Sequence, residues 1–420
     1  MYFFFDRKDE VWVILNLQWS QIMYDVAVIG AGPAGATAAR FLAKFGLKVC
    51  LIDKDQFPRD KPCGGGFSQG LIDDFPYLKK RTDEFLKGIA RVGILHSPNL
   101  RIDFQGRVDM AVTLREDFDN VLLESAIEQG LVPMLGDRVT NLKFKDDFYE
   151  VGLKEGQSIK ASVVIGADGV SSMTARKSGL NTKWPSSKIT ACRVAEVPMK
   201  YEDIIERYTE DLHYHFFANL GGLPGYGWIF PKQDTINIGL GIVANHAHGL
   251  PRIFDAFVRY LKKKNLLRAD SDISKAKGAL VPTGGPIDQS YVERCLLVGD
   301  SAGMVSPLTG GGIAYAMRAA RLASHVIVKA LEQGTDSPKS LQSYERLWRE
   351  DFGNDFRGQL LAQRLFTSPF TDLLFEIGNR DTKLQEIVSE GMAESSNEGI
   401  DVKLLAYRTI LVCIKAAFGV

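Results

Sequence analysis

Runs of apolar residues, each ending in a glycine turn or an acidic residue, mark the first half of the chain. Val26–Ile29 and Val49–Ile52 contain no charged side chain, and Ala161–Ile165 is a third, mainly apolar run. Strands that are buried on both faces of a parallel sheet have this composition. Between the first two runs, the alanine-rich segment from Pro33 to about Phe45 predicts a helix. The pattern indicates a β-α-β unit and therefore an α/β fold.

A second pattern, in which large apolar residues alternate with other residues, follows in the middle of the chain. It covers residues 213–217, 226–230 and 235–242. A period of two is typical of strands that bury one face. These segments predict a second, antiparallel sheet, in which His213 and His215 are structural rather than catalytic.

The chain is long enough for two joined domains and a tail. We expect an N-terminal extension at 1–22, a discontinuous nucleotide-binding domain at 23–75, 105–180 and 280–330, an antiparallel-sheet domain at 76–104 and 181–279, and a helical region at 331–420. The last predicted helix, 402–417, could lie on a membrane, cap a binding site or be a plain buried helix.

Composition narrows the class of protein. The 420 residues include 51 basic and 51 acidic ones, so no charge pattern points to nucleic acid as a partner. The cysteines are scattered and lack metal-ligand spacing, which indicates free thiols in a reducing compartment. No run approaches the roughly 18 apolar residues of a membrane-spanning helix. We expect a cytoplasmic protein without a metal site, with peripheral membrane contact left open.

The first apolar run ends in Gly30-x-Gly32-x-x-Gly35, the spacing of a nucleotide-binding turn. The first glycine permits the turn, the second admits a pyrophosphate to the backbone, and the third lets helix and strand pack closely. Asp53 ends the second run about 20 residues on, where an acid binds the ribose hydroxyls of a dinucleotide. An acid here favours FAD or NAD over NADP.

Two later segments help to choose between these cofactors. The sequences Gly-Ala-Asp168-Gly and Gly-Asp300 each follow an apolar run, and neither begins a second Gly-x-Gly-x-x-Gly motif. Asp300 could accept hydrogen bonds from ribityl hydroxyls. The glycines at 310–312 precede a predicted helix, whose free amides and positive dipole would face a flavin ring. The three segments together indicate one FAD site assembled from three chain regions.

These motifs, with Arg115-x-x-Phe-Asp at the start of another predicted helix, resemble the glutathione-reductase-type FAD fold. The resemblance covers about residues 23–330, in the branch shared by aromatic hydroxylases and geranylgeranyl reductases. From its own position, Arg115 could bind the cofactor or be a solvated first-turn arginine. We expect cofactor contacts at Asp168 and, as the resemblance implies, at Ala34, Asp53, Arg115, Val139, Asp300, Gly312 and Ile313.

Two further segments resemble one family within this branch. Lys-Pro-Cys63-Gly-Gly and Pro-x-Tyr226-x-Trp228-x-Phe230-Pro are similar to the geranylgeranyl reductase family. That family reduces isolated double bonds of C20 prenyl chains in archaeal lipids or in the chlorophyll side chain. The resemblance implies a prenyl-chain lipid or prenyl diphosphate as substrate. The cofactor would be non-covalent FAD, reduced by an external donor such as NADPH or a ferredoxin-like protein.

The aromatic residues of the second segment are candidate substrate contacts. In a strand, Tyr226, Trp228 and Phe230 point to one face and would form a wall about 13 Å long. Such a wall suits an extended apolar chain, although an ordinary sheet face buried under a helix has the same pattern. Flavin halogenases carry a tryptophan at the position of Tyr226, which argues against halogenation.

Cys63 is the candidate catalytic residue. An isolated double bond has no carbonyl to accept developing charge, so hydride transfer to it requires a nearby proton donor. An ordinary thiol is mostly protonated at neutral pH, and Cys63 could be this donor, a substrate gate or a redox-active thiol. Gly64 and Gly66 would let the backbone approach the flavin. Alternatively, Cys63 only shapes the loop.

Two other functions stay open at this point, beside the predicted reductase of geranylgeranyl chains. A flavin monooxygenase, such as an aromatic hydroxylase or halogenase, would share the cofactor motifs and couple oxygen consumption to product. An electron-transfer flavoprotein that reduces quinone would need an iron–sulfur cysteine cluster. The five scattered cysteines do not provide one.

Overall fold

The computed structural model describes residues 22–334 and 338–385, so nearly all of the predicted extension 1–22 and the whole predicted helix 402–417 lie outside it. The strands are β1 (Met23–Ile29), β2 (Val49–Asp53), β3 (Gly66–Ser68), β4 (Leu86–His96), β5 (Asp103–Thr113), β6 (Met134–Leu135), β7 (Val139–Lys145), β8 (Phe148–Leu153), β9 (Ser158–Gly166), β10 (Thr190–Pro198), β11 (Tyr214–Ala218), β12 (Gly225–Pro231), β13 (Thr235–Val243), β14 (Lys277–Val281), β15 (Tyr291–Val292) and β16 (Cys295–Leu297). The α-helices of the described ranges are α1 (Pro33–Lys44), α2 (Gly70–Asp74), α3 (Pro76–Lys79), α4 (Thr82–Phe85), α5 (Arg115–Ile127), α6 (Met173–Lys177), α7 (Tyr201–Tyr208), α8 (Leu250–Lys263), α9 (Ile313–Glu332), α10 (Pro338–Trp348), α11 (Asn354–Phe366) and α12 (Thr371–Gly378).

The first sheet has the strand order β15-β16-β9-β1-β2-β6, with the β7–β8 hairpin attached to β9. The strands from β16 to β6 run parallel. Val26 and Val28 pack against α1 and α9 on one face, and Ala27 and Ile29 pack against the hairpin on the other. Because both faces are buried there, the runs Val26–Ile29 and Val49–Ile52 within β1 and β2 carry no charged residues, as the pattern predicted.

The second sheet has the order β14-β10-β13-β12-β11-β4-β5-β3. The predicted purely antiparallel arrangement is corrected here, because β11 pairs with β4 in parallel, with Phe216 opposite Leu95. The chain leaves this sheet after β5, adds β6 to β9 to the first sheet and returns as β10. The next strand, β11, then runs beside β4 in the same direction, so the second sheet is mixed.

The sheets also differ from the predicted domain boundaries. We expected 23–75 and 105–180 to belong to the first domain, but β3 and β5 pair with each other in the second sheet. β5 pairs with β4 over most of its length, and this long hairpin holds residues 105–113 in the second sheet. The loop that carries Cys63 leads directly into β3, so it lies where the two sheets meet.

Helices cover the outer face of the second sheet and extend the chain after α9. Phe217 of β11 packs edge-on against Phe257 of α8, with ring centroids 5.1 Å apart. On the same face His215 Nδ1 lies 2.8 Å from His96 Nε2, and burial lowers the pKa of His215 to about 3. The helices α10, α11 and α12 form the predicted C-terminal helical region. Within the described ranges, none of the helices has the length and apolar character needed to cross a bilayer.

Candidate active site

The glycine turn between β1 and α1 is shaped by steric limits at two of its three glycines. Gly30 has φ +101°, and a Cβ there would lie 2.4 Å from the carbonyl oxygen of Ala167. A Cβ on Gly35 would lie 1.7 Å from the carbonyl oxygen of Gly30. At Gly32, by contrast, the nearest atom to a Cβ would be Arg59 Nη2, at 3.6 Å. The turn therefore packs tightly at Gly30 and Gly35. At Gly32 the backbone stays accessible to a phosphate, which would lie next to the guanidinium of Arg59.

Gly35→Ala is expected to weaken binding of the cofactor. The added methyl would meet a backbone oxygen, so α1 must shift away from β1, at a cost of about 1–3 kcal/mol. If this cost falls on the bound state, FAD affinity drops roughly 10–100-fold. The measurement is the flavin-to-protein absorbance ratio after purification.

Gly70→Ala is the control for this substitution. A Cβ on Gly70 has its nearest neighbour at 3.5 Å, an ordinary van der Waals distance. The Gly70→Ala protein should therefore keep its flavin. A Gly35→Ala protein that is equally yellow would contradict the steric argument.

Asp53, at the end of β2, anchors the same turn. Its Oδ2 accepts a hydrogen bond from the Ala31 amide at 2.6 Å, and its Oδ1 accepts one from the Asp55 amide at 2.9 Å. The amide of Asp137 donates to the Asp53 carbonyl oxygen, which brings the start of β7 close. Each carboxylate oxygen can accept a further bond, so Asp53 can hold the turn and a ribose hydroxyl together. The predicted backbone contact at Val139 stays a prediction.

Asp168 binds the start of α6. Its Oδ2 accepts hydrogen bonds from the amides of Met173 and Thr174, at 2.7 and 2.9 Å, and from Thr174 Oγ1. Its Oδ1 accepts one from Ser172 Oγ at 2.5 Å. The carboxylate therefore satisfies the free donors at the start of α6. Asp168 does not line the cavity described below, and the predicted cofactor contact at Asp168 stays a prediction.

A cavity of about 320 Å³ lies between the two sheets. The predicted site residues that line it are Cys63, Gly64, Gly66, Arg115, Tyr226, Trp228, Phe230, Asp300, Gly312 and Ile313. The other predicted residues, apart from Asp168, lie around the glycine turn and the end of β2. Pro33, in the first turn of α1, borders the cavity and connects the two groups.

The helix α9 begins at this cavity. Gly310 and Gly312 line it, and Ile313 is the first residue of the 20-residue helix. The amides of the first turn have no partner within the helix, and the positive end of the helix dipole lies there. A Cβ on Gly312 would lie 3.2 Å from Asp300 Oδ1, so bare backbone adjoins a carboxylate. The free amides and the positive end of the helix dipole fit a flavin ring. The Asp300 carboxylate beside them fits the hydroxyls of its ribityl chain.

The loop with Cys63 packs against β12 and β5 through its glycines. A Cβ on Gly64 would lie 2.5 Å from the Phe230 ring. Gly65 has φ +76°, and a Cβ there would lie 2.1 Å from the carbonyl oxygen of Thr113. Two of the loop's glycines thus make close contacts within the protein, and the predicted approach of Gly64 and Gly66 to the flavin stays a prediction. These contacts hold Cys63, which is half-buried, at the cavity wall.

The aromatic residues of β12 form the opposite part of this wall. Ring centroids of Tyr226 and Trp228 are 5.7 Å apart, and those of Trp228 and Phe230 are 6.5 Å apart. Phe216 of β11 extends the wall, 5.4 Å from Tyr226. Trp228 lies across Gly239, where a Cβ would come within 2.0 Å of the indole. This aromatic wall therefore faces a cavity, not a covering helix.

Arg115 belongs to a buried group of charges, so the alternative of a solvated arginine is wrong. Its Nε and Nη2 donate to Asp119 at 2.8 and 2.7 Å, and Arg59 Nη2 lies 3.1 Å from the same carboxylate. Burial disfavours the charge on Arg115, but the charge of Asp119 and its hydrogen bonds outweigh this effect and raise the pKa of Arg115. Arg115 therefore stays charged at the cavity.

Three site residues were not singled out in the sequence: Lys61, Arg59 and Asp119. Lys61 lines the cavity, and burial together with Arg115 lowers its pKa. Arg59 Nε has no hydrogen-bond partner within the described residues, which fits an anion near the glycine turn. Asp119 could have been found from its position four residues after Arg115 on a predicted helix. Lys61 stands two residues before the candidate cysteine.

Comparison with known proteins shows to which family a chain with these features belongs. Residues 23–350 match the family model described as FAD binding domain. A digeranylgeranylglycerophospholipid reductase from Methanocaldococcus jannaschii is 32% identical over 393 residues, which cover 92% of this chain and 95% of that protein. The match to the family model includes the glycine turn, the Cys63 loop and the aromatic wall.

Solved structures share the fold. A geranylgeranyl bacteriochlorophyll reductase-like protein from Thermoplasma acidophilum has a TM-score of 0.78 and 24% identity, covering 92% of this chain and 95% of that one. The flavin-dependent halogenase CmlS has a TM-score of 0.68 and 19% identity, covering 94% of this chain and 78% of that one. The family model and the curated relative decide the assignment: this chain belongs to the geranylgeranyl reductase family of FAD-binding flavoproteins.

Proposed function

We propose that the protein is an FAD-dependent reductase that saturates isolated C=C bonds of geranylgeranyl chains. The observation that carries this proposal is that Cys63 and the aromatic wall border the same cavity as the start of α9. A thiol, a surface for an apolar chain and a site for a flavin ring meet there. The name of the Methanocaldococcus relative favours a prenyl-chain glycerophospholipid over a prenyl diphosphate or a chlorophyll-type side chain as substrate.

Different residues of the cavity have different roles in such a reaction. FAD, when bound and reduced, supplies the hydride for one carbon of the double bond. The Cys63 thiol holds the proton that the neighbouring carbon takes up. The aromatic wall binds the chain and excludes water through its apolar area. Arg115 and the amides at the start of α9 place positive charge where the electron-rich cofactor must be held.

A flavin monooxygenase is the second candidate, because the halogenase CmlS shares the fold. The side chain of Tyr226 argues against it. Its hydroxyl donates to the carbonyl oxygen of Thr309, so the residue at the position of the halogenase tryptophan is tied to the loop before α9. Oxygen consumption coupled to product would support the monooxygenase.

We also propose a glutathione-reductase-type arrangement, an external electron donor and peripheral membrane contact. The parallel order β9-β1-β2 around the glycine turn supports the first. The sequence contains one Gly-x-Gly-x-x-Gly motif, which favours a donor that binds transiently, NADPH or a ferredoxin-like protein. Leu361, Phe370 and Leu373, which are 51–68% exposed near the turn between α11 and α12, support the membrane contact.

The decisive experiment mixes the dithionite-reduced holoprotein anaerobically with geranylgeranylated glycerophospholipid. We expect the flavin to reoxidise and the lipid mass to rise by two hydrogens per double bond. Geranylgeranyl diphosphate and a saturated lipid of the same head group are run in parallel. Flavin that stays reduced with every prenyl substrate would overturn the proposed function.

A further inference from the structure

Asn237 lies behind the cavity wall, between the two segments that carry the candidate chemistry. It is 1% exposed, and β13 places it opposite Glu196 of β10 and Phe230 of β12. Its Nδ2 donates to the carbonyl oxygen of Cys63 at 2.9 Å and to Glu196 Oε2 at 2.7 Å. Its Oδ1 accepts a hydrogen bond from Trp228 Nε1 at 2.8 Å. One side chain therefore joins the cysteine loop to the aromatic wall.

The chemistry of the partners fixes the orientation of this amide. The indole of Trp228 can only donate, and the carbonyl oxygen of Cys63 can only accept. If the Asn237 amide were flipped, its Nδ2 would face the indole N–H of Trp228, donor against donor. Its Oδ1 would face the Cys63 carbonyl oxygen, acceptor against acceptor. Both protons of Nδ2 are used, so Asn237 has no freedom to rotate without losing a buried bond.

A buried ion pair supports Asn237 from the other side. Lys232 is fully buried, and its Nζ lies 2.8 and 3.0 Å from the two carboxylate oxygens of Glu196. Thr235 Oγ1 donates to Glu196 Oε1 at 2.6 Å. The charge of the carboxylate is thereby neutralised and its direction is fixed. Polar networks in which each member is satisfied are rigid, so the position of Asn237 is set by the sheet.

We propose that Asn237 is a positioning residue that sets the distance between Cys63 and the aromatic wall. As a statement about turnover, this rests on the proposed function, because the wall is the surface that holds the prenyl chain there. The bond to the Cys63 carbonyl fixes the loop, and the bond to Trp228 fixes the middle of the wall. Both must hold for the thiol to reach the carbon beside the one that receives hydride. A displacement of about 1 Å costs on the order of 100-fold in rate.

The test replaces Asn237 by leucine, whose side chain has the same number and branching of heavy atoms and no hydrogen-bonding group. We expect turnover to fall roughly 10–100-fold while the flavin content is kept, because Asn237 does not line the cavity. The second readout is alkylation of Cys63 by iodoacetamide in the holoprotein, followed by mass spectrometry of its peptide. The rate should change several-fold, since the loop loses its anchor.

Thr235→Val is the matched control. It removes a bond to the same carboxylate but touches neither Cys63 nor Trp228, so turnover and alkylation should stay within about twofold of the wild type. If Asn237→Leu changes both quantities no more than Thr235→Val does, the proposal is overturned, even where thermal stability falls. Should Asn237→Leu fail to fold, Asn237→Ser, which is smaller and polar, replaces it under the same criteria.

The alkylation measurement separates this proposal from the proposed function. If wild-type protein reduces no prenyl substrate, the function fails, yet the alkylation rates still decide whether Asn237 holds the Cys63 loop. If the wild type is active and Asn237→Leu matches it in turnover and alkylation, only the positioning role fails.

Discussion

Replacing Asp119 by alanine is expected to lower the free energy of unfolding by about 3–5 kcal/mol. The carboxylate is fully buried and binds two guanidinium groups, those of Arg115 and Arg59. Because arginine does not lose its proton in proteins, the substitution would leave two buried positive charges near Lys61 without their counter-charge. The measurement is urea denaturation of FAD-free protein, since bound cofactor would add its own stabilisation.

Asp117→Ala provides the comparison on the same helix. Asp117 pairs with Lys87 at 2.8 Å, but both side chains are partly exposed. Exposed pairs contribute about 0–1 kcal/mol, so Asp117→Ala should change the unfolding free energy by less than about 1 kcal/mol. Equal effects of the two substitutions would show that the buried pair does not stabilise the fold.

Local sequence patterns were sufficient to predict a structural feature when the residues that determine it lie close together in the chain. The β1–α1 unit follows from an apolar run, three glycines and an alanine-rich helix, and the structure has it at Met23–Ile29 and Pro33–Lys44. The direction of the aromatic wall follows from the two-residue period of β12. In both cases the backbone geometry alone decides where the side chains go.

Contacts between distant segments could not be predicted in this way. Lys232, Glu196 and Asn237 satisfy one another from neighbouring strands, and Asn237 reaches Cys63 across 174 positions of the chain. Pairing of this kind depends on the order of strands in the sheet, and β4 beside β11 was itself unexpected. The local role of Asp168 was missed for a different reason. A carboxylate after a strand can bind a ligand or begin a helix, and the sequence pattern did not show that Ser172, Met173 and Thr174 donate hydrogen bonds to it.

Removing the thiol of Cys63 is expected to lower the rate at which a prenyl substrate reoxidises the reduced flavin, by about 10²–10⁴-fold. The double bond must gain a proton as it gains hydride. Cys63 and Cys192 both line the cavity, but burial raises the pKa of Cys192 to about 12, which makes Cys63, beside Arg115, the better proton donor. Cys63→Ala should keep its flavin. The variant loses the contact of Sγ with the Gly65 amide, at 3.4 Å, but keeps the hydrogen bond from Asn237 to the Cys63 carbonyl oxygen and the packing of Gly64 and Gly65. The measurement is single-turnover stopped-flow under nitrogen.

Two of the three roles left open for Cys63, proton donor and substrate gate, separate in this experiment. A proton donor loses function in both Cys63→Ala and Cys63→Ser, because a hydroxyl is a far weaker acid, and the wild-type rate falls in D2O. A substrate gate tolerates serine, which is nearly the same size. Cys50→Ala is the control for loss of a thiol in general, since burial raises the pKa of Cys50 to about 12 and it lies in the first sheet. An unchanged reoxidation rate in flavin-loaded Cys63→Ala would remove the cysteine from the chemistry and transfer the proton-donor role to another group at the cavity, with Lys61 the nearest candidate in sequence.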